Sequence, residues 1–404
     1  MTGEAVRAAN TLTARWVAAE GTSTDTSTAL SGAGLWPLLA LLAAAADGAG
    51  RRELAAAAGV DTDGAERHAC ELLDLVAASA STRAALGVWA RADLLIDPWW
   101  RDTVPSTAQG ELAGDTATDQ ARLDEWVRRH TDGRLTRMPI SVDPDTLLVL
   151  ATALSIRTRW RTPFDDVAHL PKDGPWAARE RPISALRRST GDLDQLAVAA
   201  TSSGAVTLVT VEGEDDLDVH LLVGKAGRAP NDVVTAGIET FNGRHRVRRG
   251  ADLLKARRVR GAPGVELRQV AAFSPEPVLT VTTTRFTVSA QHDLLERAEL
   301  FGLAAVSTLA AHGHFPRISE FPLGIGQARQ DATADFSAEG FTAAAVTTAG
   351  AFPMGGSAGT AYELSVRIDR PFGFLATHRP SGLVLLAGWV AEPRDWPDAR
   401  AAAW

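Results

Sequence analysis

The spacing of apolar side chains divides the chain into helical and extended stretches. Residues 4–20, 35–46, 51–58, 66–79 and 293–301 carry apolar side chains at helical spacing, which predicts helices there. The clearest amphipathic helix is predicted over 119–130, where one stripe contains Leu123, Trp126, Val127 and His130. Alternating or continuous apolar runs predict strands over 82–95, 147–156, 278–290 and 361–368, and hairpins over 205–223 and 371–390.

The run at 147–156 is apolar apart from Thr152 and Ser155. A strand of this composition is typical of a sheet that is covered on both faces, and we expect that here. Neither an internal repeat nor a low-complexity linker interrupts the series of elements. We therefore predict a single domain over residues 1–404.

Residues 338–354 are typical neither of a surface loop nor of a core strand. They read A-E-G-F-T-A-A-A-V-T-T-A-G-A-F-P-M, with no charge after Glu339 and no proline before Pro353. A surface loop is normally more polar, and a core strand carries larger apolar groups. Side chains this small suit a segment that lies in solvent and can also enter a sheet, where they alternate between its faces. The simple alternative is an alanine-rich loop in an alanine-rich protein.

Several motifs resemble those of the serpins. The hinge of this family is similar to Glu339, Gly340, Phe341, Thr342, Ala343, Ala344, Ala345 and Val346. The segment from Leu148 to Asp165, with Thr152, Trp160, Pro163 and Phe164, follows the serpin pattern Leu-Val-Asn-Ala-Ile-Tyr-Phe-Lys-Gly-x-Trp-x-x-Pro-Phe. Residues 123–135 resemble the helix that lies across the front of the serpin main sheet. Alanine excess and the preference for Arg over Lys are typical of a GC-rich genome, and we assign the chain to the bacterial-type members.

The resemblance implies an α+β serpin fold, with large mixed β-sheets surrounded by helices and an exposed reactive-centre loop at about 338–362. It implies an inhibitor of serine proteases that acts as a suicide substrate, not an enzyme, with no cofactor. The target protease would cleave the bond between Met354 and Gly355, 14 residues after Gly340, and the segment from Phe341 onward would insert into the main sheet. An unbranched apolar Met predicts a chymotrypsin-, elastase- or subtilisin-like target.

The sequence departs from the family pattern at several positions. Phe341 stands where inhibitory serpins have Thr or Ser, and we expect overpacking of about 1–3 kcal/mol on insertion, which would slow it. In the polar cluster that fastens the main sheet, Ser31 is kept, while Gly34, Thr152 and Gln330 replace the usual Ser, Asn and His. A non-inhibitory serpin, cleaved as a substrate or acting as a binding module, is therefore the alternative.

Other candidate chemistry is weaker. Residues 355–359 match the G-x-S-x-G pattern of a hydrolase with Ser357 as the nucleophile, but that motif needs a strand before it and a helix after it. Pro353 precedes it and a predicted strand follows it. His312 and His314 have no Cys or carboxylate at ligand spacing, so no metal site is predicted. The serine hydrolase is the least favoured reading.

Charge and composition limit the partners. The net charge of −8 argues against nucleic acid as a partner. A local basic patch runs from Arg244 to Arg260, for which we favour a solvated face over polyanion binding. Cys70 is the single cysteine, which excludes an intrachain disulfide. The N-terminus has no signal-peptide pattern and the apolar run at 33–46 is too short for a membrane span, so we expect a cytoplasmic monomer, with an extracellular location possible by family analogy.

Overall fold

The computed structural model describes residues 2–20, 23–133, 135–172, 174–202, 204–308, 312–341 and 359–397. Its helices are α1 Thr2–Ala19, α2 Gly32–Ala45, α3 Gly48–Ala58, α4 Ala65–Ala77, α5 Pro98–Thr103, α6 Thr116–His130, α7 Pro230–Phe241, α8 Gly250–Lys255 and α9 Ala298–Phe301. Within this part of the chain, none of the helices combines the length and apolar character that a membrane crossing requires.

The strands of the described residues form four sheets. They are β1 Thr28–Leu30, β2 Thr82–Arg91, β3 Gln109–Leu112, β4 Leu148–Ile156, β5 Thr158–Arg159, β6 Asp165–His169, β7 Ile183–Thr190, β8 Leu196–Thr201, β9 Gly204–Glu212, β10 Leu217–Val223, β11 Arg246–Arg249, β12 Val265–Ala272, β13 Val278–Thr284, β14 Phe286–Asp293, β15 Arg329–Phe336, β16 Gly340–Phe341, β17 Gly359–Arg367, β18 Phe372–His378 and β19 Leu383–Val390.

Two of the sheets build the scaffold around the core. The larger has the order β1-β19-β18-β10-β9-β8-β11, and the second has the order β12-β17-β13-β7-β6. Every residue of β10, β18 and β19 is buried, because α1, α2 and α7 pack against this sheet. The hairpins predicted over 205–223 and 371–390 are confirmed as β9–β10 and β18–β19.

The other two sheets lie on either side of a gap. One has the order β3-β2-β4 and the other β14-β15-β16-β5. Among the described residues, no ladder of hydrogen bonds joins β4 to β15. The amphipathic helix predicted over 119–130 is confirmed as α6, which begins with Asp115 Oδ1 accepting from the Thr118 amide at 2.8 Å. It packs on β2 and β4.

Two sequence predictions need correction. The strand predicted over 278–290 is two strands, because the chain leaves the second sheet (β13) at Arg285 and enters the sheet of β15 (β14). The strand at 147–156 is not fully covered. Residues 150–152 are only half-buried, since this edge of β4 borders the gap.

Acidification is expected to destabilise the protein through His220. This residue is buried on β10, where its ring nitrogens bond to Thr210 Oγ1 at 3.1 Å and Thr377 Oγ1 at 2.9 Å. Burial away from water lowers the pKa of His220 from 6.5 to about 4. Between these values the unfolded chain binds a proton that the folded protein does not bind, so stability is present above the unfolded pKa and is lost as the pH falls. The free energy of unfolding should decrease by up to about 3 kcal/mol.

Urea unfolding at a series of pH values measures this effect. The variant His220→Gln, which cannot take up the proton, should lose less stability on acidification than the unmodified protein does. An identical pH dependence for both proteins would show that His220 is not responsible.

Candidate functional site

The gap between β4 and β15 is a cleft with a cavity of about 530 Å³. Its floor is formed by apolar side chains of α2, among them Leu35, Leu38 and Leu42. Its walls are the edges of β4 and β15, and most of residues 138–147, which lie between α6 and β4, line the rest of it. Among the described residues no strand lies between β4 and β15, and two strand edges above an apolar floor provide the hydrogen-bonding groups and the surface that an additional β-strand needs.

At the upper end of the cleft, the first residues of the predicted hinge already lie between two strands. The short strand β16 pairs antiparallel with β15, where Phe341 opposes Phe336, and with β5, where Phe341 opposes Thr158. Trp160 holds the residues just before and at the start of the hinge through two hydrogen bonds. Its backbone amide donates to Glu339 O at 2.9 Å and its Nε1 donates to Ser337 O at 2.9 Å. The hinge therefore starts in line with the open cleft.

The side chain of Phe341 is completely buried. Its ring lies 6.4 Å from that of Phe374, which in turn contacts Phe286 at 5.1 Å between ring centroids. Phe286 stacks on Phe336 at 5.2 Å, so that Phe341 extends an aromatic group already present in the core. In this state the ring of Phe341 is already inside the core, and the overpacking expected on insertion stays a prediction.

In the middle of the cleft, Ser31, Gly34, Thr152 and Gln330 form a polar cluster. The Gln330 side chain makes two bonds to one residue: Oε1 accepts from the Ser31 amide at 2.8 Å, and Nε2 donates to Ser31 O at 2.9 Å. Ser31 Oγ accepts from the Gly34 amide at 2.9 Å and donates to Leu385 O at 2.6 Å. The Thr152 hydroxyl donates to Gly34 O. The cluster thus connects β4 to β15 through the start of α2.

An ion pair lies directly behind this cluster. His292 opposes Gln330 on the neighbouring strand β14, and its Nε2–H donates to Ala29 O at 2.9 Å, while Nδ1 lies 3.5 Å from Glu20 Oε1. Burial alone lowers the pKa of His292, but the hydrogen bonds to Glu20 and Ala29 outweigh burial, and the pKa is raised. The hydrogen bond with His292 lowers the pKa of Glu20. Both shifts favour the charged pair.

Comparison with known proteins decides the family. The family model described as Serpin (serine protease inhibitor) matches residues 8–173 and 268–393, which is well over half of the chain. The protein belongs to the serpin family. Two curated wheat (Triticum aestivum) relatives, Serpin-Z1A and Serpin-Z1B, are 32% identical over 157 residues, a match that covers 35% of this chain and only 39% of either relative. The relatives are from a plant, so they do not support the bacterial-type assignment, which stays a prediction.

Solved serpin structures share the whole fold. Thyroxine-binding globulin in complex with thyroxine has a TM-score of 0.69 at 13% identity and covers 97% of this chain and 99% of its own. Native protease nexin-1 with heparin has a TM-score of 0.67 at 16% identity and covers 97% of this chain and 100% of its own. Identities this low establish the fold alone, and they confirm the predicted serpin fold of helices and large β-sheets.

The structure of this serpin brings together only part of the predicted site. Glu339, Gly340 and Phe341 lie at the top of the cleft, with Trp160 beside them, and the polar cluster lies below. The remaining hinge residues from Thr342 to Val346, together with Met354, Gly355 and Ser357, lie outside the described residues. Their roles stay predictions.

Sequence reasoning missed several residues of the site. His292 bonds to Ala29 behind the polar cluster, Gln327 bonds to Ser141 in the cleft, and Ser337 bonds to Trp160 beside the hinge. Their partners are from 177 to 263 positions away along the chain, so no local motif could have marked them. Gln330 was found only because the family has a polar residue at that position.

The alternative chemistry gains no support from the described residues. The segment after Ser357 begins strand β17 at Gly359, whereas a nucleophile elbow requires a helix there. The downstream His378 bonds through Nδ1 to Ser381 Oγ at 2.8 Å. Within the basic patch, Arg246, Arg248 and Arg249 are exposed on β11, while Arg244 and His245 both pair with Glu239. The prediction of a solvated basic face is unchanged.

Proposed function

We propose that this serpin inhibits serine proteases of the chymotrypsin, elastase or subtilisin type by inserting its cleaved loop into the cleft. The observation that carries the proposal is the position of the hinge. Strand β16 pairs on one side with β15 and on the other with β5 at the top of the cleft, and within the described residues no further strand lies between β4 and β15. Insertion therefore extends an existing two-residue strand and needs no new nucleus.

The strand register predicts where each loop residue goes. Both neighbours of β16 are antiparallel to it, so each step forward from Phe341 is one step back from Phe336 and from Thr158. Six steps bring Thr347 opposite Gln330 on one side and Thr152 on the other. The loop would thus deliver a hydroxyl group to the polar cluster, where Gln330 and Thr152 offer polar partners.

The side chains of the loop fit the same register. Phe341 points into the core, and alternate residues of a strand share one face. The residues that would follow it inward are Ala343, Ala345, Thr347, Ala349 and Ala351. All of them are small, which is what a cleft with an existing floor of packed leucines requires.

The chemistry of trapping follows from competition between two rates. The protease serine attacks the carbonyl carbon of Met354, the Met354–Gly355 bond breaks, the Gly355 amine leaves, and an ester joins Met354 to the protease. The freed segment from Thr342 to Met354 spans roughly 40 Å as a strand, and its insertion carries the protease along. Where insertion is faster than hydrolysis of the ester the complex is trapped; otherwise the inhibitor is released as a cleaved substrate.

Incubation with chymotrypsin, elastase and subtilisin, with trypsin as the comparison, tests the proposal. We expect an adduct that survives denaturing electrophoresis with at least one of the first three, and mass spectrometry should locate the cut between Met354 and Gly355. Cleaved product without any adduct would favour the non-inhibitory serpin instead. Ester hydrolysis that disappears in Ser357→Ala would favour the hydrolase.

A further inference from the structure

Residues 135–147, which we term the linker, cross the lower part of the cleft between α6 and β4. On one side the linker is held by α6: Gln120 Oε1 accepts from the Val142 amide at 2.9 Å, and Asp124 Oδ1 accepts from the Met138 amide at 2.8 Å. Because residues 138–147 line the cavity, a strand that enters from the top meets the linker before it reaches the lower end.

On the other side the linker is held mainly by Gln327, which lies across the cleft. Gln327 Oε1 accepts from the Ser141 amide at 3.1 Å, and Gln327 Nε2 donates to Ser141 O at 2.9 Å. Arg329 adds a longer bond to Pro139 O at 3.4 Å. Gln327 stands two residues before β15, so this contact ties the β4 half of the main sheet to the β15 half.

Gln327 and Gln330 make the same pattern of hydrogen bonds. A primary amide presents one C=O and one N–H, as a peptide group does, and each glutamine forms two bonds with the N–H and C=O of one residue. This is the bonding of a hydrogen-bonded pair in an antiparallel sheet. In the register proposed above, residue 350 lies nine steps from Phe341 and opposes Gln327, nine steps from Phe336, so the incoming strand reaches Gln327 after it has passed Gln330.

We propose that Gln327 is a latch whose opening limits the final stage of loop insertion, and that it thereby sets the division between trapped protease and released, cleaved inhibitor. The inference rests on the proposed function. Both Gln327 and Ser141 are exposed, so water competes for the two bonds and the latch can open without unfolding the core. Two exposed hydrogen bonds contribute little to the stability of the fold, but they are strong enough to change the rate of loop insertion.

The variant Gln327→Ala removes the latch. Both bonds of Gln327 are exposed to water, so we expect their combined net contribution to equal that of about one average hydrogen bond, which corresponds to about fivefold faster insertion. The number of inhibitor molecules consumed per protease trapped is one plus the rate of ester hydrolysis divided by the rate of insertion. Because insertion becomes about fivefold faster, the excess over one should fall about fivefold. Hydrogen exchange of the linker amides should become faster in the same variant.

Two control variants separate the latch from general effects. Ser141→Ala keeps both bonds, because they involve only the backbone of residue 141. Gln291→Ala removes an exposed glutamine of β14 that bonds to Asp331 and does not line the cleft. Both should match the unmodified protein in stoichiometry and in linker exchange.

The outcomes distinguish the latch from the function on which it rests. Should the unmodified protein form an adduct while Gln327→Ala leaves the stoichiometry and the linker exchange unchanged, the latch is wrong and the proposed function stands. Should the unmodified protein form no adduct with any protease, the proposed function fails, and the inference fails with it.

Discussion

Cutting the chain between residues 342 and 358 is expected to raise the melting temperature of the protein by on the order of 10–20 °C. A strand that continues from Phe341 to about residue 351 would form roughly ten hydrogen bonds with the edges of β4 and β15, each with a net contribution of about 1 kcal/mol. For a chain of this length, each kcal/mol shifts the melting temperature by about 1–2 °C. Differential scanning calorimetry before and after limited proteolysis measures the change.

The increase must come from the loop and not from any nick. Mass spectrometry of the digested protein therefore has to locate the cut within 342–358, and a sample that is nicked elsewhere should melt no higher than the intact protein. A cut within the loop without a higher melting temperature would mean that the cleft stays empty after cleavage. The insertion mechanism would then be wrong.

A single carboxylate on the inward face of the loop is expected to convert the inhibitor into a substrate. In Ala345→Glu the new side chain would have to enter the apolar cleft during insertion, and burial of an unpaired charge costs several kcal/mol. Insertion should slow by far more than tenfold, so that ester hydrolysis wins. The yield of protease adduct should fall at least tenfold while cleavage continues at its former rate.

The neighbouring position supplies the matched control. Ala344 has the same side chain, but in the proposed register it would face outward, so Ala344→Glu should keep most of the adduct. Equal losses in both variants would contradict the register derived from Phe341, and equal retention would contradict insertion itself. The cleaved Ala345→Glu protein should also lack the increase in melting temperature, because both effects depend on insertion of the loop.

The sequence by itself determined the elements and the family. Helical spacing placed α1, α2 and α6 to within a few residues, and alternation with turn residues located the hairpins β9–β10 and β18–β19, because these patterns depend on neighbours within one element. The motifs around Trp160 and Glu339 identified the serpin fold. Even the small inward side chains of the loop can be counted from the sequence once Phe341 is known to point inward.

Only the tertiary structure decided what surrounds these elements. Local pattern could not predict the change of sheet at Arg285, the position of the β4 edge beside the cleft or the burial of Phe341. It could not predict the amide bonds of Gln330 to Ser31 and of Gln327 to Ser141 either. The two glutamine pairs join residues 299 and 186 positions apart. Such contacts depend on how distant elements pack against one another, and periodicity, which reports only how one element faces its surroundings, carries no information about the partner on the other side.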